Sequence, residues 1–190
     1  MILNCKQEKK VDLNDLRDKI SKGISVEELI QEDPLLYRQY KKTLDKLENI
    51  YLQTKFRNWE TKAIWYWGTI KTYHFVSTDK SHNSYKDFKH INKSTHYNLN
   101  YNSDGFWNGY WGQKIVIINK TRGEIPFGEL LKICDKYPYN VEIKGGCIVP
   151  LLCDTVLISS YKHPKDIYIN LLDKDDMEQF SRRFEVIECK

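Results

Sequence analysis

Residues 63–72 read AIWYWGTIKT. Five uncharged residues, three of them aromatic, run straight into Gly68, and Lys71-Thr72 follow. A short apolar run stopped by Gly reads as a strand buried on both faces. Strand, Gly and Lys-Thr in that order form the outline of a phosphate-binding loop, whose backbone N–H groups wrap phosphate oxygens. The full pattern, GxxxxGK[ST], sets five residues between the first Gly and the Lys. Here only Thr69 and Ile70 stand between them, and Ile70 replaces the Gly before the Lys.

Working outward, four more apolar runs read as strands: Ile115–Ile118 (IVII), Thr155–Ser159 (TVLIS), Phe184–Ile187 and Val141–Ile143. Pro126 opens a helix predicted to reach Tyr137, with Phe127, Leu130, Leu131 and Cys134 on one face. Short apolar strands mixed with helices predict an α/β fold with a mostly parallel sheet covered on both sides. Residues 78–104, rich in Ser, Asn, Lys and His, carry no clear element. Ahead of residue 58 the texture is helical and charged. Val11, Leu13, Leu16 and Ile20 have helical spacing, and Gly23 is the stop. Ser25 and Glu28 form a capping box for a second helix through Ile30. Asp33-Pro34 opens a third, with a stripe of Leu36, Tyr40, Leu44, Leu47 and Tyr51.

In open α/β sheets ligands sit beyond the carboxyl ends of strands, so the residues after each strand are the candidates for chemistry. Gly68, Lys71 and Thr72 follow the first strand as candidate phosphate-binding residues. Asn119 and Lys120 follow IVII, where a nucleotide hydrolase needs an acidic residue for Mg2+ and the attacking water. Asn has the shape of Asp without its charge, and Lys has the wrong sign beside a dication. Ser160-Tyr161 follow TVLIS, where a polar sensor of the terminal phosphate belongs. Arg182 and Arg183, just before the last strand, have the chemistry of an arginine finger reaching a neighbouring subunit's phosphate.

The chain has 190 residues, with 41% hydrophobic and 13% aromatic content, which excludes a disordered chain. No apolar run approaches the length of a membrane span, and no signal-peptide core is visible, so an intracellular protein without membrane contact is expected. The net charge of +4 permits an acidic partner without requiring one. Cys5, Cys134, Cys147, Cys153 and Cys189 are odd in number and lack metal-ligand spacing, which predicts reduced thiols and no metal site. Trp65, Trp67, Trp107 and Trp111 have two readings, as core residues or as platforms for bases.

Taken in order, GFWNGYWGQKIVIIN (105–119), IPFGELLKICDKYPYNVEIKGGCIVPL (125–151), TVLISSYKHP (155–164) and FSRRFEVI (180–187) resemble the carboxyl half of the replication-initiator (Rep) proteins of circoviruses and related circular single-stranded DNA viruses. GISVEELIQEDPLLYRQYKKTL (23–44) resembles the helical linker ahead of that family's helicase domain. The resemblance implies an AAA+-like P-loop core of superfamily 3 helicase type over residues 56–190, preceded by a helical linker or oligomerisation segment over 1–55. It also implies ATP and Mg2+ as cofactors, single-stranded DNA or RNA as partner, a homo-oligomeric ring and a nuclear location. The family's amino-terminal endonuclease is not expected here, since Met1–Gly23 contains no His.

Carried over residue by residue, the resemblance gives a mixed result. The phosphate loop keeps Gly68, Lys71 and Thr72 but is three residues short. The second motif, a pair of Asp in the family, is Asn119-Lys120. The hairpin motif for nucleic acid keeps Lys144, Gly145 and Gly146. The sensor position has Tyr161 in place of Asn, and the finger position keeps Arg182 and Arg183. Three readings follow: a Rep-type domain that has lost ATP hydrolysis, as an endogenised viral copy would; an active helicase with an atypical phosphate loop; and a non-catalytic interaction protein that associates through its helices.

Overall fold

A computed structural model describes residues 12–68, 96–101, 104–145, 147–169 and 174–189, the side chains of 174–177 excepted. The chain divides into two compact units, Met1–Thr54 and Lys55–Lys190.

The first unit is a three-helix assembly: α1 (Leu13–Ser21), α2 (Val26–Glu32) and α3 (Pro34–Gln53). Each helix starts on a side-chain cap. Asp12 accepts from the Asn14 N–H, Ser25 and Glu28 form the reciprocal capping box, and Asp33 accepts from Leu35 and Leu36 ahead of Pro34. Gly23 ends α1 at φ +94°, and a Cβ there would stand 3.1 Å from the Tyr51 hydroxyl. Leu16, Ile20, Val26, Leu29 and Leu44 form the core, with Leu36, Tyr40, Leu47 and Tyr51 packed around it. The expected stripe of α3 therefore faces inward, although Tyr40 leaves helical geometry (φ −114°, ψ 16°) and kinks the helix. Glu48 accepts from the Val26 N–H at 2.9 Å, and burial pushes its carboxyl above the usual range.

The second unit is α/β. Its strands are β1 (Lys62–Gly68), β2 (His96–Asn98), β3 (Ile115–Ile118), β4 (Asn140–Ile143), β5 (Cys147–Pro150), β6 (Thr155–Ser160) and β7 (Phe184–Cys189). Its helices are α4 (Phe127–Ile133), α5 (Pro164–Ile167) and α6 (Lys174–Arg183). Five strands form one sheet in the order β2-β3-β6-β1-β7, and every neighbouring pair is parallel. This is the mostly parallel, helix-flanked sheet expected of a P-loop NTPase-like core. Alternation splits the apolar strands between two faces. Ile64, Tyr66, Ile117 and Leu157 cluster on one. On the other, Trp65 is fully buried and meets Tyr168, Phe180 and Phe184 edge-on at 6.0–6.5 Å, while Phe127 of α4 stacks on Phe180 of α6 at 6.2 Å.

Three features depart from the sequence expectation. β4 does not join the parallel sheet but pairs antiparallel with β5 in a separate hairpin. β2 forms in the polar stretch that gave no pattern. The helix after Pro126 ends at Ile133, not Tyr137, because the backbone leaves helical geometry at Cys134 and the carbonyls of Lys132 and Ile133 turn to another partner, Arg57.

Candidate nucleotide and nucleic-acid sites

Parallel pairing sends the carboxyl ends of β1, β3 and β6 to one edge of the sheet. In register, Ile118 lies opposite Ile158 and Trp67 opposite Ser160, so the three exits are nearly level. Gly68 closes β1 at φ +145°, which only Gly adopts without strain. Asn119 and Lys120 leave β3 exposed, and Tyr161 leaves β6 exposed. Gly68, Asn119, Lys120 and Tyr161 thus share one edge. Lys71 and Thr72 lie outside the described residues.

The exit of β3 is stitched to β6. The Lys120 N–H donates to Ser159 Oγ at 3.0 Å, and the Thr121 N–H donates to the Ser159 carbonyl at 3.0 Å. Ser160 Oγ donates to the Thr121 carbonyl at 3.0 Å and accepts from the Lys162 N–H at 3.2 Å. Ser159 Oγ lies 3.5 Å from Asn119 Oδ1. These bonds hold Lys120 at φ +56°, the left-handed region that costs a side-chain-bearing residue about 1 kcal/mol. Next to this edge, Trp67 meets the His163 ring edge-on at 5.3 Å, and His163 Nδ1 accepts from the Lys165 N–H to cap α5.

The donor set here does not fit Mg2+. The position after β3 offers a neutral amide and an ammonium, and both buried serine hydroxyls are spent on the backbone. Glu124 is nearby, but its carboxylate is engaged by Thr121 Oγ1 and the Arg122 N–H. Burial alone would raise its pKa, and these bonds carry it below the usual range. Among the described residues no group of three His, Cys, Asp or Glu stands together as a metal site. Cys134 and Cys153 are buried free thiols, and burial pushes Cys153 up to about 12, so neither is a nucleophile at neutral pH.

The two arginines lie at the other end of the sheet, in the last turn of α6 before β7. Phe184 pairs with Ala63 and Cys189 with Gly68, so some five residues of strand, roughly 16 Å, separate the Arg pair from the exits described above. An open cleft of about 530 Å3 there is lined by Lys62, Arg182, Arg183 and Glu185, among others. The structure separates two residues that the sequence presents as equals. Arg183 is tied to Asp135 by a 2.9 Å ion pair and donates to the Gln179 carbonyl. The Arg182 side chain is 74% exposed and, among the described residues, meets only Glu178, at 3.4 Å.

The Asp135–Arg183 pair has a pH signature. Burial alone would raise the Asp135 pKa, but the bonds from Arg183 and the Lys136 N–H outweigh it and hold the carboxyl below its usual range. A depressed folded-state pKa stabilises the fold above the unfolded value, near 4, and that contribution is lost as pH falls through the folded value. Acid titration of stability is therefore expected to be shallower below pH 4 in Asp135→Asn than in the wild type, with Asp135→Asn already less stable at pH 7.

The hairpin forms the third site. Lys144 and Gly145 make the described part of its turn, with Gly145 at φ +110°; Gly146 lies outside the described residues. The preceding loop, 105–112, buttresses it. The Trp107 N–H donates to the Glu142 carbonyl at 2.8 Å, and Asn108 Oδ1 accepts from the Lys144 N–H at 2.9 Å. Trp107 and Tyr110 are buried and pack with Tyr97, and the Tyr110 hydroxyl accepts from the Leu152 N–H at 2.8 Å.

One residue that anchors this architecture was missed at the level of sequence. Arg57 is 1% exposed and has no carboxylate partner in hydrogen-bonding range among the described residues. All five of its N–H donors are used: on the carbonyls of Lys132, Ile133 and twice Tyr137, and on Thr61 Oγ1, at 2.6–3.2 Å. The guanidinium caps the carboxyl end of α4, where carbonyl oxygens concentrate negative charge.

No protein-family model matches the chain. Its sequence is similar to the Replication-associated protein of goose circovirus, 27% identical over 157 residues, which covers 83% of this chain and 49% of the relative. It is 43% identical over 63 residues to the Replication-associated protein of Porcine circovirus 2, covering 33% of this chain and 20% of that one. A more distant likeness, 32% over 101 residues, is to the Replication-associated protein of Chaetoceros protobacilladnavirus 2, across 49% of this chain and 21% of the relative. The chain thus spans about half the length of the first of these relatives and about a fifth of the others. These likenesses support a Rep-like protein built on an α/β core.

Proposed function

We propose that the chain is a Rep-type, superfamily 3 helicase-like domain of the kind that serves viral DNA replication, which binds single-stranded nucleic acid through its β4–β5 hairpin and has lost effective ATP hydrolysis. The observation that carries this reading is the exit of β3. Lys120 is locked there by Ser159 in a left-handed conformation, at the edge where a hydrolase presents its carboxylates. In this reading the edge formed by the exits of β1, β3 and β6 faces the nucleotide, and Lys120 brings positive charge where a hydrolase needs carboxylates. Lys120, with Lys71 in sequence, leaves weak anion binding by charge alone. Arg182, rather than Arg183, is the residue placed to reach a neighbouring copy, and the helical unit supplies a second means of association.

The hairpin assignment has a direct test. A fluorescent oligothymidylate titrated with the full chain at low salt is expected to bind, with affinity falling steeply as salt rises. Lys144→Ala should weaken binding and flatten the slope of log K against log[salt] by about 0.7, the value for one phosphate contact on a single strand. An unchanged slope would remove the hairpin from the interface.

A further inference from the structure

The tryptophans that the sequence leaves undecided part company in the structure. Trp65 and Trp107 are core residues at 0% and 1% exposure, and Trp67 lies against His163. Trp59 is fixed by its indole N–H on the Cys153 carbonyl, with Lys114 over its ring. Trp111 alone among these is 41% exposed, and its ring has no aromatic or cationic neighbour among the described residues.

Its backbone is nonetheless rigidly held. The Trp111 N–H donates to Gln113 Oε1 at 2.7 Å, and Gln113 Nε2 donates to the Gly109 carbonyl at 3.3 Å, closing the turn on itself. The residue before it, Tyr110, is fully buried and bonded at its hydroxyl to Gln113 and Leu152. Three residues earlier, Asn108 holds the Lys144 N–H of the hairpin turn. Three residues of chain span at most roughly 10 Å, so an exposed indole carried on a hydrogen-bonded turn lies within a short reach of chain from the braced turn that carries the exposed Lys144. With the backbone of the turn already held, little backbone entropy is lost on binding, and every base offers the ring a π-face.

We propose that Trp111 stacks a base of a single-stranded nucleic acid whose backbone phosphate is held at Lys144, and that Asn108 is the positioning residue that sets the Lys144 turn beside it. This rests on the single-strand reading above, and extends it from one cation to a composite surface of loop 105–112 and hairpin. The two contacts differ in kind. Stacking releases no counterions, so losing Trp111 lowers affinity at every salt concentration, whereas losing Lys144 flattens the salt slope.

The experiment is the oligothymidylate titration across salt, on the full chain and on Trp111→Ala, Trp111→Phe, Asn108→Leu, Lys144→Ala and the Asn108→Leu/Lys144→Ala double variant. Trp111→Ala is expected to bind about 5- to 150-fold more weakly with the wild-type slope, the range for one stacked base, and Trp111→Phe to keep most of the affinity. Asn108→Leu should flatten the slope as Lys144→Ala does, and the double variant should bind no worse than Lys144→Ala alone. Hydrogen exchange reads the positioning claim without any ligand: the Lys144 amide should exchange faster in Asn108→Leu and stay protected in Asn108→Asp, which keeps the acceptor. Wild-type affinity in Trp111→Ala overturns the stacking assignment, and the same result with altered sedimentation would place a second copy of the chain on Trp111 instead. Additive losses in the double variant, or an unchanged Lys144 amide, overturn the role of Asn108. Absence of binding by the wild type sinks the single-strand reading and this proposal with it, whereas a silent Trp111→Ala beside a sensitive Lys144→Ala sinks this proposal alone.

Discussion

Arg57→Met is expected to destabilise the α/β unit by about 3–5 kcal/mol, because it removes five charge-assisted hydrogen bonds and leaves carbonyl acceptors unpaired. The substitution keeps most of the side chain's bulk but orphans the carbonyls of Ile133 and Tyr137, and it leaves the Lys132 carbonyl to the backbone N–H groups of Cys134 and Asp135. Each buried acceptor left unpaired costs about 1–3 kcal/mol. For a protein of this size the melting temperature should fall by roughly 10 °C. Arg57→Lys should recover only part of the loss, since an ammonium has three donors and no planar fork for five acceptor contacts. All five tryptophans lie between Trp59 and Trp111, so tryptophan fluorescence, excited selectively over tyrosine, follows the α/β unit alone. A midpoint within about 1 kcal/mol of wild type would show that the guanidinium does not hold α4.

This residue also shows where sequence reasoning stops. Arg57 sits in KFRNWE, a stretch that looks like a solvated linker, and its partners are backbone carbonyls 75–80 residues away. A carbonyl has no signature in the amino-acid string, so no pattern points to it. The strands β1, β3, β6 and β7 were legible for the opposite reason. A parallel sheet buried on both faces demands continuous apolar runs, and AIWYW, IVII and TVLIS supply them, while β7, the edge strand, tolerates the exposed Glu185 in FEVI. The three-residue β2, His-Tyr-Asn, carries no such demand, and the partner of β4 ends in Pro150, which argues against a strand. At the candidate sites the sequence located Gly68, Asn119, Lys120 and Tyr161 correctly as strand exits. It gave no sign that Lys120 is left-handed, that Arg183 is committed to Asp135, or that Asn108 braces the hairpin. Each of those depends on a partner distant in sequence.

The second large effect concerns catalysis. A hydrolase of this type draws on loop N–H donors and on carboxylate-held Mg2+ to stabilise charge developing in the transition state. Here the loop has two residues between Gly68 and Lys71, and the exit of β3 presents Asn119 and Lys120. Loss of one such group typically lowers the rate about 100- to 1000-fold. Two independent losses are expected to put turnover about 10,000-fold or more below an ordinary ATPase. Restoring the carboxylates by Asn119→Asp and Lys120→Asp should not recover hydrolysis, because the short loop remains. Appreciable activity in that double variant would show that the loop is competent and that β3 alone carries the defect.

The most direct measurement is phosphate release by the purified chain with ATP, Mg2+ and saturating oligothymidylate, in the sample that also shows salt-dependent binding of that strand. The predicted result is binding of single-stranded DNA with phosphate release no faster than the protein-free blank. DNA-stimulated release at about one turnover per second or faster, as in a working enzyme, would contradict the account and identify an active helicase with an unusual phosphate loop.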